Sequence, residues 1–134
     1  MPLTFPRKFA HGHDLLGADV YGELYIWPDG HFHYTTSSRN TDPAKGCLVS
    51  VSFVLFDHSG TLIGMFGMSP EEGYPIGPWG RRHDELYGLI PGDKLARAES
   101  VALVFRLAGE NIGTEKLREM AGTGNELVFC PTPD

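Results

Sequence analysis

Cysteine is scarce in this chain. Cys47 and Cys130 are the only two, and they match no metal-ligand spacing. The expectation is two buried free thiols in a reducing compartment; a disulfide between them would instead imply secretion. The sequence also lacks a Cys-x-x-Cys pair, a P-loop, a dinucleotide-binding glycine fingerprint and a His-Glu-x-x-His motif. No apolar run approaches the roughly 18 residues of a membrane span. The opening stretch, Met1-Pro-Leu-Thr-Phe-Pro-Arg-Lys8, has no apolar signal core, so a cytoplasmic location is expected and no membrane partner. Positive charge is in deficit: 11 Lys and Arg stand against 17 Asp and Glu, for a net charge of −6. The basic residues are scattered and form no stripe able to neutralise phosphates, so nucleic acid is not an expected partner.

What the chain does have is turn chemistry. Its 134 residues suit one domain over 1–134, large enough to bury a core without disulfides or metal. With 41% hydrophobic and 21% charged residues it reads as globular. Seventeen glycines and ten prolines favour many short strands over long helices. The predicted fold class is all-β, mostly antiparallel, with one short C-terminal helix. A β-sandwich is favoured, with a small β-barrel as the alternative.

The segment Tyr21-Gly-Glu-Leu-Tyr-Ile-Trp-Pro-Asp-Gly-His-Phe-His-Tyr34 carries the strongest signal. Pro28-Asp29-Gly30 is the three-residue loop of a type I turn closed by a left-handed glycine. That turn sets a register: Trp27 opposite His31, Ile26 opposite Phe32, Tyr25 opposite His33, Leu24 opposite Tyr34 and Glu23 opposite Thr35. Side chains alternate along a strand, so the pairs sort onto two faces. Leu24, Ile26, Phe32 and Tyr34 form a core face. Glu23, Tyr25, Trp27, His31, His33 and Thr35 form the other.

A second hairpin runs over residues 49–68 around Asp57-His58-Ser59-Gly60. Its expected register pairs Asp57 with Thr61, Phe56 with Leu62, Leu55 with Ile63, Val54 with Gly64 and Phe53 with Met65. Both its faces are apolar, which predicts burial on both sides at the centre of the fold. Val51, Phe53, Leu55, Ile63, Leu103 and Phe105 are the expected core. Residues 1–19 read as an irregular segment and 69–93 as a long loop, with a short strand hidden at 85–90. Residues 100–107 predict a strand, 115–121 a helix capped by Thr114, and 126–130 a closing strand.

Four groups bear on chemistry. Imidazoles at His31 and His33 point the same way on one strand, about 7 Å apart. With Glu23 nearby they are candidate metal ligands, and Tyr25 and Trp27 beside them form a candidate aromatic platform for sugars, bases or protein. A His-x-His on a strand is similar to that of the cupin family, but the glycine spacing before it and the glutamate after it are missing, so no family is recognised. His11-Gly12-His13-Asp14 is a second candidate metal pinch. Arg81-Arg82-His83-Asp84-Glu85, next to Trp79 and Tyr87, offers guanidinium groups for an acidic ligand. His83 and Asp84 are neighbours on an extended chain and point apart, so Asp84 is not expected to orient His83. Asp57-His58-Ser59 reads as turn chemistry, since three consecutive residues cannot adopt triad geometry.

The reading that follows is a non-catalytic β-domain with no cofactor. It recognises a protein, carbohydrate or small-molecule ligand through Glu23, Tyr25, Trp27, His31 and His33, with Trp79, Arg81 and Arg82 contributed by the long loop. The alternatives are a small β-enzyme using His31 and His33, with or without metal, and a structural subunit forming a homo-oligomer.

Overall fold

The computed structural model describes residues 3–15, 18–68 and 72–107. Within them the chain forms β1 (Arg7–Leu15), β2 (Ala18–Ile26), β3 (His31–Asn40), β4 (Cys47–Phe56), β5 (Leu62–Gly67), β6 (Tyr74–Ile76), β7 (Arg81–Leu89), α1 (Gly92–Arg97) and β8 (Ser100–Leu107). One sheet has the order β1-β2-β3-β7. In the other, β4 pairs β8 along Val49–Phe56 and, on its opposite edge, β6 and then β5. Every pairing is antiparallel, and the two sheets do not close into a barrel. The fold is the expected mostly antiparallel, sandwich-like all-β class.

The first hairpin takes the predicted register at every pair. Trp27 N–H donates to His31 O at 2.9 Å, Gly30 N–H donates to Trp27 O at 3.0 Å, and Gly30 holds φ +95°. Alternation then buries Leu24, Ile26, Phe32 and Tyr34 against β4 and β8, in one cluster with Val51, Phe53, Leu103 and Phe105. Phe32 meets Phe53 edge-on with ring centroids 4.9 Å apart. The buried Tyr34 hydroxyl donates to Ser52 O across the sheets at 3.1 Å, so its desolvated O–H keeps a partner. Gly22 is the small residue that makes room here: a Cβ on it would lie 2.7 Å from Phe105 Cζ.

Three expectations are corrected. The supposedly irregular residues 1–19 contain β1, which pairs with all of β2 from Arg7↔Ile26 to Leu15↔Ala18. Phe9 is the buried anchor of this edge strand. The 69–93 loop instead contains β6, β7 and the start of α1. β7 has charged residues on both faces, as suits an edge strand, and its ladder with β3 runs from Arg39↔Arg81 to His31↔Leu89. In the second hairpin, a bulge beside Leu55 and Phe56 moves the pairing by one residue. Leu55 faces Gly64, Val54 faces Met65 and Phe53 faces Phe66, which leaves Ile63 half-buried. The centre of the second sheet is therefore β4 alone, with β5 half-buried at its edge.

α1 was not expected. Pro91-Gly92-Asp93 reads as a turn, and Leu95 alone anchors this six-residue helix in the core. The helix expected at 115–121, the closing strand at 126–130 and Cys130 lie outside the described residues. Cys47 is a free, half-buried thiol.

Candidate functional site

The outer face of the β1-β2-β3-β7 sheet is built row by row from its cross-strand pairs. Tyr25, His33 and Tyr87 lie in one row with Lys8. Glu23, Thr35 and Glu85 form the next row, and Tyr21, Ser37 and His83 the one after. At the hairpin end His31 stands between Trp27 and Leu89. The five hairpin residues singled out in the sequence are thus brought together, and the structure adds Tyr87, Leu89, Glu85 and Lys8 beside them.

The aromatic rings come in two pairs. Tyr25 and Trp27 have centroids 4.5 Å apart and planes inclined at 53°. His33 and Tyr87 stack at 4.4 Å with planes 6° apart. Trp27 is 40% exposed, Tyr87 69% and Leu89 57%, so this is an open apolar surface. A recess of about 260 Å³ opens between the hairpin rings, lined by Lys8, Glu23, Tyr25, Trp27, His33 and Thr35.

Carboxylates fix the polar groups around the rings. Glu85 accepts from His33 Nε2 at 3.2 Å and from the Tyr87 hydroxyl at 3.4 Å, through its two different oxygens. Partial desolvation, followed by the Glu85 charge, pushes the Tyr87 phenol above its ordinary range. Glu23 accepts from the Tyr21 hydroxyl at 3.1 Å and lies 3.5 Å from Lys8 Nζ. That hydrogen bond is the main reason the Tyr21 phenol is also raised. At the turn, Asp29 accepts from His31 N–H at 3.0 Å and from His31 Nδ1 at 2.8 Å. The His31 amide, then its imidazole, hold the Asp29 carboxyl below its usual range.

Each of these two histidines therefore already has a carboxylate partner of its own. Among the described residues, no three His, Cys, Asp or Glu side chains converge as a metal-ligand group. The side chains of His11 and His13 lie outside the described residues; their backbone belongs to β1. Comparisons with protein-family models, with curated proteins and with solved structures find no match to this chain.

The remaining sequence candidates are dispersed. Arg81 is on the same outer face, but six residues along β7 from Tyr87, which is about 20 Å at strand spacing. Arg82 is on the opposite face, where Nε donates to both oxygens of Asp84 and the guanidinium lies 4.9 Å from the Tyr74 ring centroid. Trp79 occupies a tight turn with φ +55° and is 65% exposed; its N–H donates to Asp42 O at 3.1 Å. Asn40 secures that corner, donating to the carbonyls of Lys45, Ile76 and Gly77. As expected, Asp84 does not orient His83, because it is engaged by Arg82 and His83 meets Ser37. Asp57 likewise serves its turn, accepting from Ser59 and Thr61.

Tyr87, noted in the sequence only as a neighbour of the charged run, and Leu89 were not placed on this face because 81–89 lacks the apolar alternation of a half-buried strand. Their signal was the spacing Arg81, His83, Glu85, Tyr87, Leu89, which puts one face outward once the segment is read as extended.

Proposed function

We propose that this protein is a non-catalytic binding domain that takes a carbohydrate on the outer face of its β1-β2-β3-β7 sheet. The observation that carries the reading is the two ring pairs, Tyr25–Trp27 and His33–Tyr87, side by side on one open face, with Trp27 and Tyr87 the exposed ring of each and Tyr25 and His33 half-buried. Rings presented in this way stack on the apolar faces of sugars. The polar surroundings favour a sugar over a protein surface. Lys8, Glu23, Thr35, His33 and Glu85 are interleaved with the rings, whereas the core of a protein–protein interface is depleted of charge. Carboxylates and imidazoles among aromatic rings suit a ligand that alternates hydroxyls with C–H faces.

A neutral-oligosaccharide array tests the reading. The wild-type domain is expected to bind a subset of glycans, and Trp27→Ala and Tyr87→Ala are each expected to weaken that binding by about 2 kcal/mol. A blank array, or binding indifferent to both substitutions, would overturn it.

A further inference from the structure

At the other end of the same sheet face, Arg39 of β3 stands directly opposite Arg81 of β7. Like charges placed opposite one another on antiparallel neighbours repel, and their Cβ atoms are only about 5 Å apart. Asp19 on β2 compensates Arg39, with Arg39 Nη2 donating to Asp19 Oδ2 at 2.6 Å. Arg81 has no such carboxylate: among the described residues it has no ion pair or side-chain hydrogen bond, and it is exposed. The cross-strand row runs Asp14, Asp19, Arg39, Arg81, so both acidic residues stand on the β1–β2 side and Arg81 ends the row on the edge strand β7, beyond Arg39.

The next row supplies hydrogen-bond donors beside Arg81. Ser37 Oγ and His83 Nδ1 are 3.1 Å apart. If the serine donates, His83 carries its proton on Nε2; if the imidazole donates, the serine hydroxyl proton is free. Either tautomer leaves a donor for a third partner. Opposite Ser37 on β2 is Tyr21, which is 46% exposed. These residues line an open groove of about 670 Å³. That volume falls in the range of small-molecule sites and exceeds what a bare inorganic ion needs.

We propose that this groove binds a small organic oxyanion, a phosphate ester or a carboxylate, with the anionic group on Arg81 and the Ser37–His83 pair and the organic portion against Tyr21. Arg81 supplies a planar donor fork matched to two oxygens, and the bound anion removes its repulsion with Arg39. The site shares none of the Trp27 or Tyr87 groups: along β7, Arg81 lies about 20 Å and His83 about 13 Å from Tyr87, and the two sites meet only where Tyr21 donates to Glu23.

The test is an amide-shift NMR titration of the full chain with phenyl phosphate, benzoate and inorganic phosphate. Phenyl phosphate, benzoate or both are expected to give saturable shifts at Tyr21, Ser37 and His83, and the tighter of the two names the source of the oxyanion. Arg81→Gln should weaken that binding about tenfold without lowering Tm, and Trp27→Ala should leave it unchanged. His83→Ala should weaken it in the same direction, as a second, independent variant. Absence of saturable shifts with both organic anions would overturn the proposal. So would shifts that persist in Arg81→Gln, or inorganic phosphate binding as tightly as the organic anions.

Discussion

The His33 imidazole lies flat on the Tyr87 phenol ring, centroids 4.4 Å apart, and one carboxylate, Glu85, holds both. This links β3 to an edge strand whose own sequence has little reason to be buried. It also turns a hairpin surface into a wider face.

Replacing Glu85 by Gln should lower the Tyr87 pKa toward the ordinary phenol range. The phenol is raised first by desolvation and then by the Glu85 charge and its hydrogen bond. Removing the charge removes only the second contribution, so the shift should be partial. A pH titration of the Tyr87 ring resonances checks this; an unchanged or higher pKa would contradict the described contact.

Phe53→Ala and Phe105→Ala should each destabilise the domain by about 3–5 kcal/mol, through lost transfer energy and a residual cavity. Both side chains are fully buried between the sheets. Urea denaturation measures the effect, and midpoints close to wild type would mean that the two sheets do not pack through these rings.

Gly30→Val should cost about 2 kcal/mol or more, since a branched residue resists φ +95° and has no space there. A Cβ at this position would come within 2.3 Å of Ile90 O, and Gly30 O accepts the Ile90 N–H at 2.8 Å. Thermal unfolding of the variant checks it.

The first hairpin was legible in the sequence because Pro28-Asp29-Gly30 sets the register locally, and one register sorts all ten residues onto their faces. β8 was legible because Val101, Leu103 and Phe105 alternate in phase. The second hairpin was not. Where both faces are apolar, alternation carries no phase, so the bulge that half-exposes Ile63 left no mark. β1 and the first part of β7, before the strand expected at 85–90, were hidden for a related reason. Edge strands draw their order from a neighbour's backbone and can keep charge on both faces, so Arg81-Arg82-His83-Asp84-Glu85 resembled a loop tip. The same misreading placed Arg81 and Arg82 together, whereas strand alternation sends them to opposite faces.

Acid should destabilise the domain partly through Asp57. Its carboxylate accepts from Ser59 Oγ at 2.8 Å and from the amides of Ser59 and Thr61 at 2.9 and 3.0 Å. The Ser59 hydroxyl first, then the Thr61 amide, hold it below the usual carboxylate range. The folded state therefore binds this proton less readily than the unfolded chain. The contribution is present above the unfolded value of about 3.9 and is lost as pH falls through the lower, folded one. Asp57→Asn should flatten that part of the urea-midpoint profile below about pH 4; an identical acid limb in wild type and variant would contradict the assignment.

Under the proposed function, the exposed rings on the β1-β2-β3-β7 sheet serve recognition and not stability. The most direct measurement compares Trp27→Ala/Tyr87→Ala with wild type on a neutral-oligosaccharide array, with Tm recorded for both. The expected result is glycan binding by the wild type, its loss in the double variant, and a Tm within a few degrees of wild type, as exposed substitutions allow. A variant that unfolds readily would make these rings structural, and a wild type that binds no glycan would contradict the account outright.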